Sequence, residues 1–342
     1  MQLPKSGIYT DITDSYLRPF TMLFGGRGVG KTYSLLLHRI EDSLKNDNHK
    51  FIWLRDTEAV TNKIASGESI TAPIEKNHPE IGTTQILKYK GNYHFINAKG
   101  TDKEKTLGYL MALSTFHNAR GLSYEDVAYI IFDEFMPEEG TIIKKGQGIL
   151  FLNMYESINR NRELAGLDPV KVIFLSNTNC LYSEIIEDLG LAGVIETLQQ
   201  ENKTTFLDND VWIEFIENNE FLEAKKNTLL YRLSTNAKFN DMALNNRFTD
   251  NLALIVPKAN LKGSKGLLTL DFRYTLIQLN NGQLYFKLGS WKNLINYDMD
   301  NDQEALLYKF MFADKLRYEY IAGNMFFDSI YTQRRVLSYA KF

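Results

Sequence analysis

The stretch Gly25-Gly26-Arg27-Gly28-Val29-Gly30-Lys31-Thr32 gathers four of the chain's 22 glycines and a Lys-Thr pair into one short run. It satisfies G-x-x-x-x-G-K-[ST], the phosphate-binding loop. Gly25, Gly26, Arg27, Gly28, Val29 and Gly30 form the cradle, because a glycine-rich backbone can curl until successive N–H groups converge on phosphate oxygens. Lys31 then reaches the outer phosphates, and the Thr32 hydroxyl holds Mg²⁺. Upstream, PFTMLF reads as a short buried strand; downstream, TYSLLLHRIEDSLKN sets Tyr33, Leu36, Leu37, Ile40 and Leu44 on one helical face. Strand, loop and helix follow one another in the order a phosphate loop requires.

A second motif answers the first. VAYIIFDEF, Val127 to Phe135, is an apolar run that reads as a buried parallel strand ending in Asp133-Glu134. An Asp at a strand's carboxyl end can hold the Mg²⁺ water shell beside the loop. The adjacent Glu134 can accept a proton from an attacking water. Phe51–Leu54 within KFIWLRDT, and Val170–Asn179, add two more strands, so four strands alternate with helical patterns and predict a parallel sheet with crossover helices. Asn177, at a carboxyl end, either senses the terminal phosphate or caps the next turn. No NKxD guanine-reading motif follows, so ATP with Mg²⁺ is the expected cofactor pair.

Composition bounds the rest. The chain has 342 residues, 44% hydrophobic and 24% charged, which suits a large and a small domain. One cysteine, Cys180, precludes an internal disulfide, and five scattered histidines show no metal-ligand spacing. The N-terminus has no apolar signal region, and no run approaches the ~18 apolar residues of a membrane span. A soluble, cytoplasmic protein without membrane partners is the expectation. A formal charge of −3 argues mildly against nucleic acid, although a local basic patch can still bind it.

ESINRNRELAG offers Arg160 and Arg162 between the acidic strand and the Asn177 strand. A cation inserted at the developing phosphate charge is worth about 10³ to 10⁵ in rate; the alternative is that both arginines pair with Glu156 and Glu163 on one helix.

Taken together, these motifs resemble those of the DNA-packaging ATPases of phi29-like tailed bacteriophages. The resemblance rests on Gly25–Tyr33, FIWLR at Phe51–Arg55, IIFDEF at Ile130–Phe135, NRNRE at Asn159–Glu163 and LSN at Leu175–Asn177, with weaker counterparts in MALNNRF (Met242–Phe248) and YFKLGSW. It implies that Lys31 and Thr32 are the Walker A pair, Asp133 the Walker B acid, Glu134 the catalytic carboxylate and Asn177 the sensor. Arg160 matches a trans-acting arginine finger. Arg120 falls where the family has a trans-acting Lys, and a guanidinium fork does not simply replace an ammonium. The resemblance further implies a P-loop NTPase fold of the ASCE type and a homomeric, pentameric ring in the cytoplasm of an infected bacterial host. Its implied partners are double-stranded DNA, a packaging RNA and a prohead portal. Another ring-forming P-loop motor, a helicase or a terminase with active nuclease, is the alternative reading.

The expected domains are an ATPase domain over 1–217, a helical linker over 218–248 and a nucleic-acid-binding domain over 249–342. DVWIEFIEN supplies a closing strand, and NEFLEAKKNTLLYRLS reads as one amphipathic linker helix. Beyond it, NLALIVPK, LLTLDFRYTLIQL and QLYFKLGSW read as strands, with Asn281-Gly282 as a hairpin turn. By the resemblance, this small α+β domain corresponds to a degenerate RNase H-like nuclease. Asp271, Asp328 and the acidic run Asp298–Glu304 do not make a convincing two-metal site, and the run lacks the glycine and bidentate Glu of a calcium loop. From Lys258 to Lys292 six basic residues face one acid, a net of +5. Lys258, Lys262 and Lys265 are candidates for tracking phosphates without reading sequence.

Overall fold

The computed structural model describes residues 9–67, 70–89, 91–98, 104–119, 124–136, 146–177, 183–234 and 253–340. Two compact units divide the chain: Met1–Cys180 with Leu198–Thr249, and Leu181–Thr197 with Asp250–Phe342. The segment Leu181–Thr197 therefore goes with the second unit, whereas the sequence reading counts it within 1–217.

The first unit is built on strands β1 (Phe20–Phe24), β2 (Lys50–Arg55), β3 (Thr83–Tyr89), β4 (Asn92–Ala98), β5 (Lys105–Ala112), β6 (Val127–Asp133), β7 (Lys171–Ser176), β8 (Thr205–Leu207) and β9 (Val211–Phe215). They form one sheet in the order β3-β4-β5-β2-β6-β7-β1-β9-β8. From β5 to β9 every neighbour is parallel. Only the flanks, β3-β4-β5 and β8-β9, are antiparallel. All four parallel strands read from the sequence are present. The β3–β4 hairpin and β5 were not foreseen; β3 is an edge strand with Thr84 as its one buried residue and lacks a continuous apolar run.

Sheet order fixes where chemistry can happen. Strand β7 lies between β1, which carries the loop, and β6, which carries Asp133, so the carboxyl ends of three parallel strands converge on one edge. Ligands of open parallel sheets bind at that edge.

The helix Lys31–Lys45 packs Leu35, Leu36 and Ile40 into the core, with Tyr33, Leu37 and Leu44 partly buried beside them. Leu35 lies off the face read from the sequence. A second side of the helix is covered by the N-terminal segment, whose Ile12 and Leu17 join the same core. That segment is fastened by Ile12 N–H donating to Ser34 Oγ at 2.8 Å. Arg39 is fully buried; it pairs with Asp14 and stacks its guanidinium 3.8 Å from the Tyr129 ring centroid. Asp42, one turn along the same helix, adds a second carboxylate 3.7 Å from the guanidinium.

The second unit holds a sheet in the order β13-β10-β11-β12-β14: β10 (Lys265–Leu270), β11 (Tyr274–Gln278), β12 (Leu284–Leu288), β13 (Asn296–Tyr297) and β14 (Met325–Phe327). Helices Asp302–Ile321 and Ile330–Ala340 accompany it. The Asn281-Gly282 turn joins β11 to β12 as expected, with Gly282 at φ +87°. Three readings are corrected. LLTLDFRYTLIQL is two strands, broken where Asp271 and Phe272 take positive φ. The described part of NLALIVPK forms only an isolated bridge, Ile255 to Phe327. The expected linker helix is two, Asn219–Lys226 and Leu229–Leu233, divided at Asn227-Thr228. The acidic run Asp298–Glu304 caps a helix: Asn301 Oδ1 accepts from the N–H groups of Gln303 and Glu304, and Asp298 N–H donates to Glu304 Oε2 at 2.8 Å.

Candidate active site

Strand β1 hands the chain to the loop at Phe24, and Gly25 N–H donates to the Ser176 carbonyl of β7 at 3.1 Å. Gly28 and Gly30 take φ of +85° and +106°, a region that side chains with Cβ rarely enter. At Gly30 an added Cβ would also lie 3.0 Å from Tyr9 Cβ and 3.3 Å from the Thr10 carbonyl oxygen. Val29, buried, accepts from Thr10 N–H at 3.0 Å. The helix begins at Lys31 with Gly30 as a cap that offers no side-chain acceptor. Its first N–H groups and the positive end of its dipole therefore face the loop, the arrangement that receives an anion.

Lys31 is buried, and its ammonium donates to the carbonyls of Gly25 at 2.6 Å and Gly26 at 3.2 Å and to Asn177 Oδ1 at 3.3 Å. Burial pushes its pKa down to about 8, against the opposing pull of Asp133. Thr32 Oγ1 donates to Asp133 Oδ1 at 3.4 Å, so a hydroxyl from the first turn of the helix and a carboxylate from the end of β6 stand side by side. Hard oxygens so arranged suit Mg²⁺. Desolvation raises the Asp133 pKa, and the Arg55 guanidinium counters it.

Arg55, at the carboxyl end of β2, was not singled out as a site residue. Its Nη1 donates to Asp133 Oδ2 at 2.7 Å, and its Nη2 donates to Glu134 Oε2. One guanidinium thus bridges both acids. Its position immediately after an apolar strand run, beside the strand that ends in Asp-Glu, was the available signal. Glu134 sits just past the end of β6, is exposed, and takes φ +56°. A non-glycine residue in that region is strained, and such strain clusters at functional sites.

Lys31, Thr32, Asp133, Glu134 and Asn177 are therefore brought to one edge. Arg160 is not. The helix Gln147–Asn159 returns the chain from the carboxyl end of β6 toward the start of β7, where Asn159 Oδ1 accepts from Val170 N–H at 2.9 Å. Arg160 ends that helix in left-handed geometry, φ 43°. Arg162 donates to the Glu125 carbonyl at 2.6 Å, whereas Glu163 accepts from Asn159 at 2.7 Å. Arg120 lies outside the described residues.

In the second unit Lys258, Lys262 and Lys265 are exposed. Lys258 and Lys262 line an open cleft of about 420 Å³ with Tyr285, Asn280 and Phe326. Arg273, counted in the same basic stretch, is instead engaged with Glu187 and Asp188. Asp271 accepts from Met299 N–H at 2.7 Å and from the Tyr339 hydroxyl at 2.5 Å, and Asp328 accepts from Leu288 N–H at 2.6 Å. Among the described residues no group of three or more acidic, His or Cys side chains is placed to hold a metal, and no helix is long and apolar enough to cross a membrane.

A mostly parallel sheet, a strand between loop and acid, and a lysine seated in the loop define a P-loop NTPase fold. Residues 5–302 match the Podovirus DNA encapsidation protein (Gp16) family, and the chain belongs to that family. The DNA packaging protein of Bacillus phage phi29 is 24% identical over 301 residues, covering 86% of this chain and 83% of its own. That of Bacillus phage B103 is 26% identical over 262 residues, covering 76% and 73%. Two solved structures share the fold, each at TM-score 0.62 and 19% identity. The Phi-28 gp11 DNA packaging motor covers 96% of this chain and 95% of its own, and the bacteriophage Phi-29 viral genome packaging motor assembly covers 96% of both.

Proposed function

We propose that the protein is an ATP-hydrolysing translocase that drives double-stranded DNA into a viral prohead. The single observation that carries this reading is the meeting of Lys31, Thr32, Asp133, Glu134 and Asn177 at one sheet edge, in a chain whose relatives are named DNA packaging proteins. In this reading the loop N–H groups and Lys31 bind the triphosphate, and Thr32 with Asp133 holds Mg²⁺, which supplies charge neutralisation when bound. Glu134 takes the proton of the attacking water. Opening its ion pair with Arg55 would free Oε2 to face that water. Asn177 reports the terminal phosphate through the contact it already makes with Lys31.

Arg160 lies away from its own chain's loop, a position that supports action on a neighbouring subunit's nucleotide in a homomeric ring. Arg120 is proposed as a second cation in trans. Lys258, Lys262 and Lys265 are proposed to track nucleic-acid phosphates, and prohead and packaging RNA are proposed partners by kinship with the motor assemblies.

The test is ATPase rate against protein concentration, with and without duplex DNA. A steep rise with concentration and stimulation by DNA are expected. Arg160→Ala should stop turnover yet bind ATP, and mixing it with Arg160-bearing Glu134→Gln subunits should restore part of the rate. No rescue in mixed rings would remove the trans assignment.

A further inference from the structure

The loop has a reacting end, where Lys31 meets Asn177 and where Asp133 and Glu134 stand. A nucleotide whose terminal phosphate lies there must carry its base away on the remaining flank. That flank is bordered by two half-buried aromatic rings from opposite ends of the first unit's sequence. Phe221 Cζ would lie 3.4 Å from a Cβ at Gly28, and Tyr9 Cβ would lie 3.0 Å from one at Gly30. The two rings contact each other at a centroid distance of 6.0 Å and an interplanar angle of 44°.

Both rings are held in place by polar fastenings. Asn218 caps the helix Asn219–Lys226 by accepting from Phe221 N–H at 2.9 Å and donates to Thr10 Oγ1 at 3.1 Å, tying the helix to the N-terminal segment. From the same helix, Lys225 donates to the Arg27 carbonyl of the loop at 2.6 Å and lies 5.4 Å from the Phe221 centroid and 5.2 Å from that of Tyr231. An aromatic surface flanked by a cation, Lys225, beside a phosphate cradle suits a nucleobase, because bases stack on aromatic rings and their phosphates attract an ammonium. Read as a linker alone, this helix would have no need to place a ring against a loop glycine.

We infer that Tyr9 and Phe221 form the platform on which the purine base of the bound nucleotide stacks, making the segment after β9 part of the nucleotide site. The inference rests on the phosphate-loop reading and deepens it.

The test compares binding of ATP and of inorganic tripolyphosphate, both with Mg²⁺, by calorimetry on the full chain. Wild type binds ATP more tightly than tripolyphosphate. Phe221→Leu keeps an apolar side chain against Gly28 but removes the ring, and is expected to weaken ATP about tenfold while leaving tripolyphosphate unchanged. Tyr9→Leu acts in the same direction, and Phe221→Trp restores ATP affinity. Equal losses for both ligands, or no loss for either, would overturn the base platform, since the rings would then only pack the loop. If wild-type protein bound neither ligand, the phosphate-loop reading itself would fail and the platform with it.

Discussion

Two clusters of carboxylates, one in each unit, are satisfied in opposite ways. At the edge of the large sheet, Asp133 and Glu134 share one guanidinium, Arg55, while Lys31 spends its ammonium on loop carbonyls. In the second unit Glu187 receives the Tyr274 hydroxyl and lies near Arg273 at 3.3 Å and Arg335 at 3.9 Å, and Arg335 also donates to Glu184 at 2.6 Å. Glu196 accepts from Ile330 N–H at 2.6 Å. The first cluster holds cations that an incoming polyphosphate can draw away, beside an exposed carboxylate. The second spends each acid on groups of its own fold, so its carboxylates serve stability. The lesson is that acidity in a buried site signals chemistry only where its partners can be exchanged.

The sharpest way to break this contrast is to neutralise one acid on each side. Glu134→Gln is expected to lower turnover by about 10² to 10⁴ while ATP still binds, as measured by steady-state hydrolysis and calorimetry. A variant that kept wild-type turnover would end the general-base assignment. Glu187→Ala should instead leave nucleotide binding intact and destabilise the second unit by about 1–3 kcal/mol, because it leaves the buried Tyr274 hydroxyl without its acceptor while Arg273 keeps Asp188 and Arg335 keeps Glu184. Urea unfolding checks it, and a loss under ~1 kcal/mol would place Glu187 outside the hub.

A third experiment sharpens the first cluster alone. Burial holds the Lys31 pKa at about 8, below its ordinary value, and bound phosphate would raise it. Binding then takes up a proton once the pH exceeds about 8, so nucleotide affinity should fall with rising pH there, by at most about tenfold per unit. In the free protein the sign is opposite. From about pH 8 up to the ordinary lysine value the unfolded chain holds the extra proton, so stability rises with pH. Calorimetry in buffers of different ionisation enthalpy detects the uptake; no proton coupling at pH 8.5 would contradict a buried ammonium.

The smallest effect at any single position belongs to the second unit's lysines. Replacing Lys258, Lys262 and Lys265 together by Ala should reduce the salt dependence of DNA binding by about three in log–log slope. An unchanged slope would move nucleic-acid contact elsewhere.

Much of the site was legible in one dimension. The loop from Gly25 to Thr32 is contiguous, and its glycines are demanded by local backbone geometry at Gly28 and Gly30. Asp133 and Asn177 were found because each ends an apolar strand run, and parallel strands end at a common edge. Arg55 ends the FIWLR run, yet its worth depends on β2 pairing with β6, a neighbour distant in sequence. Phe221 and Tyr9 are hidden for the same reason: nothing near either residue indicates that the two rings meet beside Gly28 and Gly30. The break at Asp271-Phe272 eluded an apolar count, since positive φ there is stabilised by Met299 and Asn296 donating and accepting from across the unit.

Sequence alone thus determined the phosphate loop, the four parallel strands and the acids that close the site, all of them written in local periodicity or in residues adjacent along the chain. Tertiary structure alone decided that Arg55 clamps both acids, that Arg160 stands away from its own loop, and that aromatic rings more than two hundred residues apart flank the cradle. The reason is physical: a backbone propensity acts within a few residues, whereas an ion pair or a ring contact exists only once the sheet order has brought its members together.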